Sequence, residues 1–111
     1  MKKFLLLYTA PTEIREKMQS ATPEEMKEGM GAWIAWFQKV GNNLVDKGMP
    51  LSNAITVTKE GEMPGRVEFV AYNVVQAENI DAAIAIAKES PHLDREGATV
   101  EVHEMMPMPG M

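Results

Sequence analysis

Asp81 to Val102 reads DAAIAIAKESPHLDREGATVEV, and this stretch decides the fold. Alanine and isoleucine recur at helical spacing from Ile80 to Glu89, with Ile80, Ala83, Ile84 and Ala87 on one stripe. Asn79 stands where a cap is needed. Ser90-Pro91 stops the helix, because the residue before a proline is steered away from helical geometry. His92 falls in the break, Gly97 in the loop beyond it, and a strand follows over Ala98–Met106. The small alanines allow a close approach to a sheet.

Working backward, Val67–Val75 alternates as a strand, with Phe69, Ala71 and Val75 on one face and Val70, Tyr72 and Val74 on the other. The polar loop Lys59–Arg66 precedes it, and Leu51–Thr58 reads as a further strand, more polar on one side. The strongest helix start is Thr22-Pro23-Glu24-Glu25: a capping threonine, a proline at the first helical position and a glutamate that completes a capping box. Met26, Met30, Trp33, Phe37, Val40 and Leu44 then continue one stripe, and Gly48 ends the helix after Lys47. Gly29 and Gly31 weaken that helix by roughly 1 kcal/mol each relative to alanine, which close packing against the sheet or a partner explains. Thr12–Ala21, with Ile14 and Met18 four apart, reads as one or two irregular turns. Lys3–Thr9 is the first strand, with Leu5 and Leu7 on one face and Phe4, Leu6 and Tyr8 on the other.

The order is βαββαβ, which predicts an α+β fold of ferredoxin-like plan: a four-stranded antiparallel sheet with two helices on one face. The strands that are apolar on both faces, the first and third, belong at its centre. Two helices cover one face only. The uncovered apolar face predicts a homodimer in which two sheets pack into a dimeric α+β barrel, with the C-terminal tail as the alternative cover.

Composition bounds the rest. The 111 residues make one domain, 1–111, with 45% apolar and 24% charged side chains. A net charge of −5 excludes a nucleic-acid partner, which calls for a basic stripe, and suits a cytoplasmic protein. With no cysteine there is no disulfide, thiolate nucleophile or sulfur-ligated zinc. No apolar run reaches the roughly 20 residues that span a membrane, so no membrane partner is expected. The opening MKKFLLLYT imitates a signal peptide, but Pro11, Glu13 and Arg15 follow too soon.

Taken together, KKFLLLY, the segment WIAWF at Trp33–Phe37, Gly48, AIAIAKESPHLDREGATVEV and the tail PMPG resemble the YCII-related proteins. These are small dimeric α+β barrels that include the branch called the DGPF domain. The resemblance spans nearly the whole chain and implies a homodimer that binds a small organic ligand in a cleft beside the sheet, with cofactor-free acid–base chemistry of lyase type. The turn that names the DGPF branch is not present: the region reads Glu62-Met63-Pro64-Gly65-Arg66-Val67-Glu68-Phe69. The family's His-Asp pair carries an early histidine, whereas the first histidine here is His92, so that pair does not transfer.

Chemistry must therefore come from this chain's own residues. His92 is the candidate catalytic and ligand-contacting residue, because an imidazole titrates near neutral pH. A helix end would favour its protonated form, and Asp94 and Asp81 are candidate orienting carboxylates. The competing reading makes His92 a turn residue bonding helix carbonyls. Trp36 falls off the apolar stripe by about a third of a turn and either lines a ligand cleft or sits at a boundary. Tyr8 and Tyr72 are candidate ligand-binding donors or interface residues. His103 is expected at the solvent or a dimer rim, and two histidines give no metal site. The tail MMPMPGM is not helical and packs across a partner or lids a cleft. The alternative function is a non-catalytic ligand-binding or protein-interaction module.

Overall fold

A computed structural model describes residues 1–110. Its centre is β1, Lys2–Thr9, paired antiparallel with β5, Phe69–Ala77, on one side and β6, Thr99–Met105, on the other. The short β2, Leu44–Asp46, lies outside β5, giving the order β2-β5-β1-β6. Three helices, α1 (Thr12–Ser20), α2 (Pro23–Val40) and α3 (Ile80–Lys88), complete an α+β fold. The two strands read as apolar on both faces are the two inner strands.

Register decides which side chains meet. Phe4 lies opposite Val75, Leu6 opposite Asn73 and Tyr8 opposite Ala71, so these share the inner face. Phe4, Leu6, Tyr8 and Val75 are fully buried there. Leu5 and Leu7 face the other way, opposite Val74 and Tyr72. Ala83 and Ala87 of α3 are buried, with Ala82 and Ile86 packed beside them. Ile80 and Ile84, expected on the same stripe, are instead exposed. The small alanine face comes closest to the sheet, and the larger isoleucines turn outward.

The capping box at the start of α2 is formed: Glu25 N–H donates to Thr22 Oγ1 at 3.1 Å, and Thr22 N–H reaches Glu25 Oε1 at 3.4 Å. The helix ends earlier than its stripe predicts. Gly41 takes φ +61°, its N–H bonds Phe37 O, and a 3-10 turn over Gly41–Asn43 leads into β2. Leu44 suits the helical period, yet it is claimed by pairing with Val75. Gly48 serves the turn after β2, at φ +69°, where a Cβ would lie 1.6 Å from Tyr72 O.

Other corrections follow from local pairing. Thr12–Ser20 is a regular helix, and Ile14 and Met18 pack on the core. The predicted strand Leu51–Thr58 does not edge the main sheet. Only Pro50 bridges to Ala71; Ile55–Thr58 is β3, which pairs with β4, Gly61–Pro64, in a separate hairpin. Closing a two-residue turn at Lys59-Glu60 costs less chain entropy than a long-range pairing. In α2 every residue from Pro23 to Ala32 is exposed, so Met26 and Met30 are not core, and nothing lies within 4 Å of a Cβ at Gly29 or Gly31. That half of the helix overhangs the sheet. Met106 and Met108 of the tail are exposed, and Met111 lies outside the described residues.

Candidate functional site

Three buried polar side chains gather on the inner face: Asn73, Ser90 and His92. Alternation along β1 turns Tyr8 toward them, and register places Asn73 one step along on β5. The Tyr8 hydroxyl donates to Asn73 Oδ1 at 2.8 Å. That bond explains an asparagine, a poor strand former, inside VAYNVV. Ser90 caps the 3-10 turn Pro91–Asp94, accepting from His92 N–H at 3.4 Å.

His92 Nε2 lies 2.7 Å from Thr9 O. A carbonyl only accepts, so Nε2 carries the proton and Nδ1 keeps the lone pair. Thr9 itself meets Thr99 through their hydroxyls, tying β1 to β6 at this end. The His92 ring packs edge-on to Tyr8 at 5.1 Å, and Tyr8 meets Trp33 at 5.4 Å with planes 88° apart. Trp33 passes the contact on to Trp36, centroids 5.8 Å apart. Trp36 is the one buried residue of α2, and its indole N–H donates to Ile86 O at 3.3 Å. It therefore belongs to the core, while Trp33 and Phe37 of the predicted stripe are half-buried.

Burial sets the charge of the cluster. The Tyr8 phenol is pushed up to about 12 by loss of solvent, which outweighs the opposing influence of the neighbouring Ser90 and Asn73 side chains. His92 is lowered from its ordinary value of 6.5, first by burial and further by nearby Arg95, with the bond to Thr9 O opposing. The expectation that a helix end holds His92 protonated is thus reversed: desolvation dominates, and both rings are neutral at pH 7. Its partner is a backbone carbonyl, and neither Asp81 nor Asp94 bonds its ring.

Two shallow grooves flank α2. One, of about 320 Å³, runs between Ala32, Ala35 and Trp36 on the helix and Pro91 and Asp94 on the 3-10 turn. The ion pair of Lys39 and Glu89, at 3.0 Å, lies along it. The other, about 450 Å³, has Ile34, Phe37, Leu44 and Val45 as walls, and Lys47 stands over the Phe37 ring.

The structure brings Tyr8, His92 and Trp36 into one neighbourhood and leaves Tyr72 out, because Tyr72 sits opposite Leu7 on the far face. His103 is on that far face as well, opposite Leu5, exposed and bonded to Glu101 at 2.9 Å. Among the described residues no three His, Cys, Asp or Glu gather to hold a metal. Sequence reasoning missed Asn73 and Ser90. A lone amide inside an apolar strand and a serine just before a helix-stopping proline were the available signals. The arrangement is a buried set of neutral donors and acceptors, with Tyr8 bonded to Asn73 and His92 to Thr9 O. No family model, curated protein or solved structure matches the chain.

Proposed function

We propose that this chain is a homodimeric small-molecule binder of ferredoxin-like plan, two sheets closing face to face into an α+β barrel as in the YCII-related proteins it resembles. The ligand lies in the groove between α2 and the 3-10 turn. The observation that carries the ligand reading is the groove's position: about 320 Å³ in size, it is lined by Trp36 and by Pro91, which stands in the chain between Ser90 and His92 of the buried cluster. That size falls at the lower end of small-molecule sites. Lys39 and Glu89 neutralise one another along the groove's wall and Asp94 adds a carboxylate beside Trp36, so a small organic molecule with an apolar face and hydrogen-bond donors fits it. The dimer reading is supported by Leu5, Leu7, Val74 and Tyr72, which make the middle of the far face apolar where β1 and β5 pair, and by the strand order.

Two readings of the cluster differ in chemistry. A neutral imidazole with a free Nδ1 lone pair favours proton transfer of lyase type, with no cofactor. The closed bonds from Tyr8 to Asn73 and from His92 to Thr9 favour a binding module in which the cluster only stiffens the groove.

A thermal-shift screen of neutral metabolites decides between them when run on three proteins. Ala35 is exposed on the groove wall, so Ala35→Phe fills the groove without entering the core. A ligand that stabilises the wild type and not Ala35→Phe supports the groove; equal stabilisation of both sinks it. His92→Ala then reports on the imidazole: an equal shift and no turnover assign the binding module, and turnover lost with His92 assigns the chemistry.

A further inference from the structure

We infer that the β3–β4 hairpin is an arm that packs on a second copy of this chain. The inference rests on the dimer proposed above, and adds to the sheet face a second contact surface.

The hairpin is built yet uncovered. Ile55 pairs with Pro64, Thr56 with Met63 and Val57 with Glu62, and every residue from Ile55 to Pro64 is exposed. Ile55 and Val57, on one face, keep 64% and 75% of their surface in water. Both outer edges are unpaired, since the sheet has only these two strands. An isolated two-stranded hairpin is marginal in water, and an apolar one with open edges invites a partner. Its base, in contrast, is firmly held. Leu51 N–H donates to Val70 O at 2.8 Å, Gly65 N–H to Ala54 O at 2.9 Å, and a Cβ at Gly65 would lie 2.7 Å from Ala54. The arm is therefore rooted on the edge of β5 that also carries β2.

The size of the molecule names the occupant. The radius of gyration is 15.4 Å, where a compact chain of this length has about 13 Å. The accessible surface is 8203 Å², which is about 2,000 Å² more than a folded monomer of this mass exposes. Doubled over two chains, that excess falls in the range of obligate homodimers, roughly 2,000–5,000 Å² of total burial. The overhanging half of α2, with Met26 and Met30 exposed and glycines that no atom of their own chain approaches, belongs to the same excess. A second copy accounts for an excess of this size with no other molecule.

The test uses the full chain in three forms. Ile55→Asp/Val57→Asp charges the arm at side chains that are exposed within their own chain, so the monomer fold survives, as far-UV circular dichroism checks. Leu7→Lys charges the open sheet face and tests that contact separately. Sedimentation and light scattering across micromolar concentrations read the mass. The wild type is expected at twice 12.3 kDa, and the arm variant is expected to dimerise at least ~100-fold more weakly. An arm variant that dimerises as tightly as wild type overturns the arm; if Leu7→Lys is then monomeric, the sheet-face dimer stands without it. An arm variant that dissociates while Leu7→Lys stays dimeric keeps the arm and removes the sheet face. A wild type of 12.3 kDa throughout overturns both.

Discussion

Replacing Tyr8 by phenylalanine removes one hydroxyl from a fully buried ring and nothing else. That hydroxyl donates to Asn73 Oδ1 at 2.8 Å. Asn73 and Ser90 are each only 2% exposed, so bulk water does not replace it. A buried acceptor left without its donor costs about 1–3 kcal/mol. Unfolding entropy near 2.1 cal/mol/K per residue gives about 230 cal/mol/K for this chain, so each kcal/mol moves the melting point by about 4 °C. Tyr8→Phe should therefore melt about 4–13 °C below wild type. Calorimetry at one fixed protein concentration is the assay, because self-association of the kind proposed makes a melting point depend on concentration. The double variant Tyr8→Phe/Asn73→Val removes donor and acceptor together. It should lose at least ~1 kcal/mol less than the two single variants summed. A Tyr8→Phe protein that melts within a degree of wild type, or a double variant that is strictly additive, refutes the network.

The pH dependence of stability follows from His92. Its native pKa lies below the ordinary 6.5, so as pH falls past 6.5 the unfolded chain takes up a proton that the native state does not. His92 therefore costs no stability above that value and makes stability fall with pH below it, by at most ~1.4 kcal/mol per pH unit. Denaturant titrations of wild type and His92→Gln between pH 7.5 and 5 should diverge below 6.5, and parallel curves would exclude a desolvated imidazole. Gly48→Ala should destabilise by more than ~3 kcal/mol, since it sets a Cβ against Tyr72 O between β2 and β5. Gly41→Ala, at φ +61° and ψ −129° but with open space around it, should cost about 1–3 kcal/mol of backbone strain alone. Equal costs at the two glycines would remove the steric argument.

Some of the site was legible from residue types alone. Alternation in KKFLLLY turned Tyr8 inward beside Phe4 and Leu6, and the break at Ser90-Pro91 put His92 at a helix exit. Both positions depend on local rules: period two in a strand and a proline that stops a helix. Tyr72 shows the limit of the same rule. Alternation put it on a face, but whether that face is also Tyr8's depends on the register of β1 against β5, which sets Tyr72 opposite Leu7. The charge of His92 was misread for a related reason. Helix ends are visible in a sequence, whereas desolvation depends on what the rest of the chain stacks over the ring.

The sequence by itself determined the elements whose signals are local: the Thr22–Glu25 capping box, the α3 helix with its Asn79 cap, the alternation of β1 and the final strand. It also determined that the first strand and the one after the polar loop, apolar on both faces, would be the inner strands of the sheet. Only the tertiary structure decided where α2 gives way to β2, because Leu44 satisfies both a helical period and a pairing with Val75. It alone turned Leu51–Thr58 away from the sheet and into a hairpin with Gly61–Pro64, and it alone joined Tyr8, Asn73, Ser90 and His92. Those outcomes depend on competition between partners far apart in the chain, and on the water that packing removes, which no local pattern encodes.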